Sequence, residues 1–159
     1  MSGIAAPRWH IEPCDARSED AAALMDELNA LLAALSGDSG AARFDPSQMQ
    51  STGCAFLLAR DGQGQAQGCG ALRPLPEGPP GTAELKRMYA RARSQGLGAA
   101  LLAALLDEAR RLGYRRVWLE TRRVNARALA FYQQQGFTEI PGYGHYAGRT
   151  DAACLALPL

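Results

Sequence analysis

The sequence predicts a mixed α/β (α+β) fold, with a central mixed sheet of about seven strands and helices on both faces. The length of 159 residues suits one compact domain. Short apolar runs first follow one another and then alternate with helical patterns, separated by loops rich in glycine and proline. Consecutive strands favour antiparallel pairing, and strands that alternate with helices favour a parallel crossover. We therefore expect a single domain over residues 1–159.

The first half of the chain predicts a strand, a helix and a hairpin. Residues 8–12 are the first strand candidate. A helix is predicted over residues 19–36 because five leucines recur at helical spacing: Leu24, Leu28, Leu31, Leu32 and Leu35. An Asp-Pro-Ser start signal at residues 45–47 predicts a short second helix. Residues 54–60 and 67–73 are apolar runs on either side of an Asp-Gly-Gln-Gly turn, which predicts a hairpin.

The second half predicts strands that alternate with helices. Residues 83–90 follow a proline-rich loop and form a strand candidate. A long helix then begins at Leu97, and its apolar face contains Leu97, Leu101, Leu102, Leu105, Leu106, Ala109 and Leu112. The remaining elements are a strand at 117–121, a helix at 125–135 closed by Gly136, and strands at 137–140 and 152–157.

Composition excludes several classes of protein. The net charge of +1 and the charged fraction of 21% are typical of an ordinary globule and argue against a dedicated nucleic-acid binder. No stretch approaches the roughly 18 uncharged apolar residues that a membrane helix needs, and the N-terminus lacks a targeting pattern. We therefore expect a cytoplasmic protein without a membrane partner. The cysteines are scattered without a Cys-x-x-Cys pair, so no metal site is expected: Cys14, Cys54, Cys69 and Cys154.

The junction between residues 83–90 and the long helix has the features of a phosphate-binding loop. Gly96 and Gly98 permit close backbone approach, and the helix start offers unpaired N–H groups and a positive dipole end. The Rossmann pattern would need a glycine where Leu101 stands, and the P-loop would need Gly-Lys followed by Ser or Thr. Both of these patterns fail, so the loop favours a pyrophosphate that is bound without a metal.

Two motifs in this order resemble the GNAT superfamily of acyl-CoA N-acyltransferases. Residues 93–98, Arg-Ser-Gln-Gly-Leu-Gly, match the pattern Q/R-x-x-G-x-G/A. Residues 125–137 look like the family's second cofactor motif, N-x-x-A-x-x-F-Y-x-x-x-G-F. Together the motifs cover about residues 84–140, and the first 80 residues match only in the order of strands and helices.

The resemblance implies a GNAT-like fold that uses acetyl-CoA as co-substrate and no metal. In that family the loop wraps the pyrophosphate of CoA with backbone amides, and the preceding strand pairs with pantetheine. The cofactor-binding residues that it implies here are Met88, Tyr89, Ala90, Arg93, Ser94, Gln95, Gly96, Leu97, Gly98, Ala99, Asn125 and Tyr132. Asn125 is expected to cap its helix, bind the cofactor, or do both.

Acyl transfer to an amine needs a neutral amine, help for the oxyanion and a proton for the leaving thiolate. Tyr132 matches the family's general acid, and its alternative role is to pack its helix against the sheet. Glu84 is the first candidate for the base, and its alternative is a salt bridge with Lys86 or Arg87. Glu120 and water are further candidates, and a backbone N–H near Met88 would meet the oxyanion.

The acceptor side is predicted from two segments. Tyr143 and His145 belong to a polar aromatic loop, and His145 is also a candidate base, although a lone histidine in a loop is commonly just exposed. Arg43 lies in the stretch that shapes the acceptor pocket in the resembled family, and it would suit an acceptor that carries a carboxylate.

The predicted function is an N-acetyltransferase that uses a direct ternary-complex mechanism. The alternatives are a non-catalytic acyl-CoA sensor or regulatory module, and a nucleotide-binding α/β domain. The acceptor stays open between a small-molecule amine and a peptide amine, because fold and cofactor motif do not select the nucleophile. Paired subunits are common in the resembled family, so a homodimer is a further expectation.

Overall fold

The computed structural model describes residues 8–91 and 95–159, and within them seven strands form one mixed sheet. The strands are β1 (His10–Pro13), β2 (Ala55–Arg60), β3 (Ala66–Pro74), β4 (Thr82–Ala90), β5 (Arg116–Arg122), β6 (Thr138–Ile140) and β7 (Ala152–Pro158). The helices are α1 (Glu19–Ser36), α2 (Leu97–Arg111) and α3 (Ala126–Gln134). The predicted fold class and order of elements are therefore confirmed.

The sheet has the order β1-β2-β3-β4-β5-β7-β6, and its only parallel neighbours within the described residues are β4 and β5. These two strands pair from Thr82 opposite Arg116 to Glu84 opposite Trp118. Both strands continue beyond that point, but the described chain shows no further pairing between them. The sheet consequently opens into a wedge between β4 and β5.

Helices cover both faces of the sheet, because alternate strand residues enter different cores. Leu57 of β2 packs in a cluster with α2 and α3 residues, whereas its neighbour Leu58 packs in a cluster with Leu24 of α1. α2 lies close to β3 because glycines face it. A Cβ atom added at Gly70 would lie 2.5 Å from a methyl carbon of the fully buried Leu105.

The limits of α1 have local causes. The Ser18 hydroxyl accepts a hydrogen bond from the Ala21 amide at 3.2 Å, and Gly37 ends the helix in the left-handed region at φ 79°. The Asp-Pro-Ser signal opens a 3₁₀ turn, Pro46–Gln50, rather than an α-helix, and the Asp45 side chain caps it. Among the described residues, none of the helices is both long and apolar enough to cross a membrane.

Candidate active site

A cavity of about 370 Å³ fills the wedge between β4 and β5. The second half of α1, the start of α2 and one side of α3 complete its walls. The cavity therefore lies where the edges of β4 and β5 that face each other are unpaired, and where a helix begins.

The start of α2 is open toward this cavity. Gly96 takes the left-handed conformation at φ 77°, and no side chain of the described residues caps the helix. Gly96, Gly98 and Ala99 line the cavity, so the first N–H groups of α2 and its positive dipole end are available to an anion. The residues present thus fit the pyrophosphate of a CoA molecule.

The rest of the predicted loop divides into different environments. Leu97 is fully buried in the core, and Gln95 is exposed and accepts a hydrogen bond from Arg8 at 2.6 Å. Arg93 and Ser94 lie outside the described residues. A Cβ atom added at Gly98 would lie 3.3 Å from the ring of Phe131 in α3, so the two cofactor motifs pack against each other.

A bulge in β4 turns its second half out of line with β5. The register with β3 shifts between Cys69 and Ala71, and the facing Arg87 has a positive φ of 54°. Its buried guanidinium holds this conformation, because it donates to Oδ1 of Asn29 at 2.5 Å and to the Ser39 carbonyl at 2.7 Å. Beyond the bulge, three predicted pantetheine-binding residues line the cavity: Met88, Tyr89 and Ala90.

Tyr132 and Asn125 of the second motif both line the cavity. The Tyr132 ring packs edge-on against Phe131 and Phe137, and no hydrogen bond within the described chain uses its hydroxyl. Burial raises the pKa of this hydroxyl above its ordinary value of 10.0, so it keeps its proton near neutral pH. The Asn125 side chain caps α3 by accepting from the Ala128 amide at 3.2 Å.

Glu84 does not line the wedge cavity, and each of its carboxylate oxygens already accepts a hydrogen bond. Its Oε1 accepts from Nε of Arg73 at 2.9 Å, and its Oε2 accepts from the Tyr143 hydroxyl at 2.7 Å. The carboxylate lines a second cavity of about 430 Å³. The partner in its salt bridge is thus Arg73, which stands opposite Glu84 across β3 and β4, rather than Lys86 or Arg87.

Glu120 of β5 lines the wedge cavity instead. Its carboxylate forms an ion pair with Arg122, and both side chains are about nine-tenths buried. Burial raises the pKa of Glu120 above the ordinary 4.5, and the nearby charges of Arg122, Lys86 and Arg43 oppose that shift. A buried carboxyl with a raised pKa is a stronger base once ionised than an exposed one.

Tyr146 lines both cavities, and three cationic side chains lie close to its ring. The charged groups of Arg43, Lys86 and Arg122 lie 5.9, 5.8 and 5.6 Å from the ring centroid. Lys86 also donates to the Tyr146 hydroxyl at 3.2 Å, and Arg43 donates to Asp38 at 2.8 Å. Of these three cations, the sequence indicated only Arg43 as an acceptor-side residue, because Lys86 and Arg122 lie on separate strands far from it in the chain.

The two remaining acceptor-side candidates line the second cavity rather than the wedge. Tyr143 is buried against Trp118 with its hydroxyl on Glu84. His145 is exposed, packs edge-on against Tyr146, and has its Nε2 atom 3.1 Å from Arg149. Within the described ranges, no group of three or more His, Cys, Asp and Glu side chains could hold a metal ion, and the metal-free reaction stays a prediction.

Comparison with known proteins gives consistent relatives. Residues 21–137 match the family model described as Acetyltransferase (GNAT) family. IAA acetyltransferase of Azospirillum brasilense is 34% identical over 125 residues, which cover 77% of this chain and 80% of that protein. The [ribosomal protein bS18]-alanine N-acetyltransferase of Escherichia coli K12 is 45% identical over 69 residues. That match spans 41% of this chain and about half, 47%, of the relative.

Solved structures agree in fold. An acyl-CoA N-acyltransferase structure from Klebsiella pneumoniae superposes with a TM-score of 0.79 and 28% identity, over 95% of this chain and 97% of the other. A GNAT-family acetyltransferase from Staphylococcus aureus superposes with a TM-score of 0.73 over 95% and 99% of the two chains. Its identity of 17% supports the fold alone.

Proposed function

The chain belongs to the GNAT acetyltransferase family, and on that premise we propose that it transfers the acetyl group of acetyl-CoA to a primary amine. The transfer would occur by direct attack in a ternary complex. The observation that carries the proposal is the wedge between β4 and β5, which has an uncapped helix start in its wall and holds Glu120 and Tyr132.

The bound acetyl-CoA would supply a thioester carbonyl as the acyl donor. The N–H groups at the start of α2, from Gly96 to Ala99, would hold its pyrophosphate. Main-chain groups of Met88 and Ala90 would pair with pantetheine on the edge of β4 that faces β5, because the ladder between these two strands ends at Glu84. Asn125 would contribute from the start of α3 while it caps the helix.

Two side chains account for the protons. Glu120 takes the proton that the amine loses as the new C–N bond forms, directly or through one water. Tyr132 donates its hydroxyl proton to the sulfur as the C–S bond breaks. Glu120 is favoured as the base because it lines the same cavity as Tyr132, whereas Glu84 and His145 line the second one. A backbone N–H near Met88 would meet the oxyanion.

A binding experiment tests the phosphate cradle, which is the start of α2 from Gly96 to Ala99. At about 100 times its Kd, acetyl-CoA should raise the unfolding free energy by roughly 2.7 kcal/mol, which thermal unfolding detects. Gly98→Trp should abolish this shift, because the indole would enter the contact with Phe131 and block the start of α2. Gly62→Trp is the matched control, because a Cβ there meets nothing within 4 Å. An undiminished shift in Gly98→Trp would contradict the cradle.

Release of free thiol across a panel of amines tests the chemistry in the same preparation. Tyr132→Phe should keep the thermal shift with acetyl-CoA and lose roughly 10²–10⁴-fold in kcat, since only the proton donor is removed. A wild-type protein that binds acetyl-CoA but releases no thiol with any amine would instead be the non-catalytic sensor. The homodimer and the cytoplasmic location stay predictions, which sedimentation and cell fractionation test.

A further inference from the structure

We infer that the acceptor is an amine that also carries a carboxylate, in the manner of an apolar α-amino acid. The inference rests on the proposed function, because it assigns the part of the wedge cavity that acetyl-CoA leaves free. It is carried by the cation cluster around Tyr146, defined as Arg43, Lys86 and Arg122, and by the leucines of α1 that line the same cavity.

The wedge cavity has an excess of positive charge. Among the described residues that line it, five side chains are cationic and two are acidic. A hydrogen bond from the Gly40 amide and then the Arg43 guanidinium lower the pKa of Asp38 to about 2, so this acid stays ionised. The second acid is Glu120, which pairs with Arg122. The two acidic side chains therefore do not neutralise the five cationic ones.

The cluster is separate from the phosphate cradle. Lys86 precedes Ala90 by four residues, which corresponds to at most roughly 13 Å at the usual rise of a strand, because the bulge at Arg87 shortens this path. The bulge at Arg87 and the start of α2 lie beyond Lys86 along the chain. The cations around Tyr146 are thus placed near the closed end of the wedge, where Glu120 also lies, rather than at the pyrophosphate.

The cluster has hydrogen-bond donors to spare. Lys86 carries three N–H donors, and the Tyr146 hydroxyl uses one of them. Arg43 carries five N–H donors, its bond to Asp38 uses one of them, and its side chain is about one-quarter exposed. Arg122 is occupied by Glu120 and Asp38. An acceptor carboxylate would therefore be met by Lys86 and Arg43, while Arg122 holds the base in place.

This charge pattern also selects among amines. A protonated amine without an anionic group is repelled by the excess of cations, because like charges interact strongly in a partly buried cavity. A carboxylate on the acceptor offsets that repulsion, and in an α-amino acid the amino nitrogen is two bonds away from the carboxyl carbon. The same positive field favours loss of the ammonium proton, which the attack requires.

The part of the cavity wall that α1 forms is apolar. Leu28, Leu31 and Leu32 of α1 line it, and the last two are partly exposed. Such a wall would bury an apolar substituent of the acceptor, at roughly 25 cal/mol for each Å² removed from water. An acceptor whose carboxylate binds the cluster and whose substituent packs against α1 is an apolar amino acid.

A calorimetric titration tests the inference without turnover. L-leucine and L-leucinamide, which differ in the carboxylate, are titrated into protein saturated with CoA. Leucine should bind at least about tenfold more tightly than leucinamide. Lys86→Gln and Arg43→Gln should each remove this preference, and Lys86→Arg should restore it. Arg110→Gln is the matched control, because Arg110 is exposed on α2 and pairs with Asp107.

Thermal unfolding with CoA verifies that each variant is folded. Equal binding of the two probes, a preference that survives in the Lys86→Gln/Arg43→Gln double variant, or no binding of leucine, methionine or phenylalanine would each overturn the inference. Thiol release with leucinamide or a peptide amine but not with leucine would overturn it while the proposed function stands. Tight leucine binding without thiol release from any amine would support a carboxylate-binding site at the cluster but overturn both the acceptor role and the proposed function.

Discussion

Glu84 and Glu120 show how two carboxylates on neighbouring strands acquire different chemistry. Glu84 has a partner on each oxygen and lines the second cavity, whereas Glu120 is buried in the wedge beside Arg122. The sequence could predict that both lie on strands near the loop. It could not separate them, because Arg73 comes opposite Glu84 only through the register of β3.

The pH dependence of kcat/KM distinguishes these two carboxylates. Because burial raises the pKa of Glu120 above 4.5, the active carboxylate form should accumulate only as pH rises through that higher value. Glu120→Gln should remove this acidic limb and lower kcat/KM by roughly 10²–10⁴-fold.

The same change at Glu84 is the control. Glu84→Gln should keep the acidic limb but lower the unfolding free energy by about 1–3 kcal/mol, because Arg73 loses its charged partner. Loss of the limb in Glu84→Gln and its retention in Glu120→Gln would assign the base to Glu84.

Among the elements, those with local signals were predictable and those fixed by distant contacts were not. The cap at Ser18, the leucine spacing and Gly37 set α1 within the chain itself. The bulge in β4 has no such signal, because a positive φ at Arg87 depends on Asn29 and on the Ser39 carbonyl from another part of the chain.

Removing the side-chain partner of Arg87 should therefore loosen the bulge. Asn29→Ala leaves the buried guanidinium with one acceptor fewer and should cost about 1–3 kcal/mol in urea denaturation. The KM for acetyl-CoA should rise as well, since Met88 follows the bulge directly. Asp26→Ala on the exposed side of α1 is the control and should change neither quantity. An unchanged KM in Asn29→Ala would show that the bulge holds its shape without this contact.

In the whole molecule, the sheet has two parts, β1 to β4 and β5 to β7. A short parallel ladder between β4 and β5 connects them, and the wedge separates them beyond that ladder. The motifs at residues 84–140 allowed the cofactor side to be predicted, because each motif is contiguous in sequence. Of the cluster that we propose for the acceptor side, the sequence singled out Arg43 alone, since Arg43, Lys86, Arg122 and Tyr146 come from four distant segments.

Hydrogen exchange measures how a ligand links the two parts. CoA should slow amide exchange at those residues of 86–90 whose N–H groups point to the edge of β4 that faces β5, because no strand pairs with that edge in the described chain. Exchange at residues 55–60 should stay unchanged, because β2 is already paired on both sides. Protection confined to the loop before α2 would show that pantetheine does not pair with β4.

The wedge also bears on where the sheet could pair with another chain. Unpaired strand edges are templates for joining with other chains, and long ones favour aggregation. The outer edges here are the four-residue β1 and the three-residue β6. The longer unpaired stretches of β4 and β5 face each other inside the sheet, between α1 on one face and α2 and α3 on the other. The longest unpaired edges of β4 and β5 are thus inside the sheet, where a binding partner reaches them only by entering the wedge cavity.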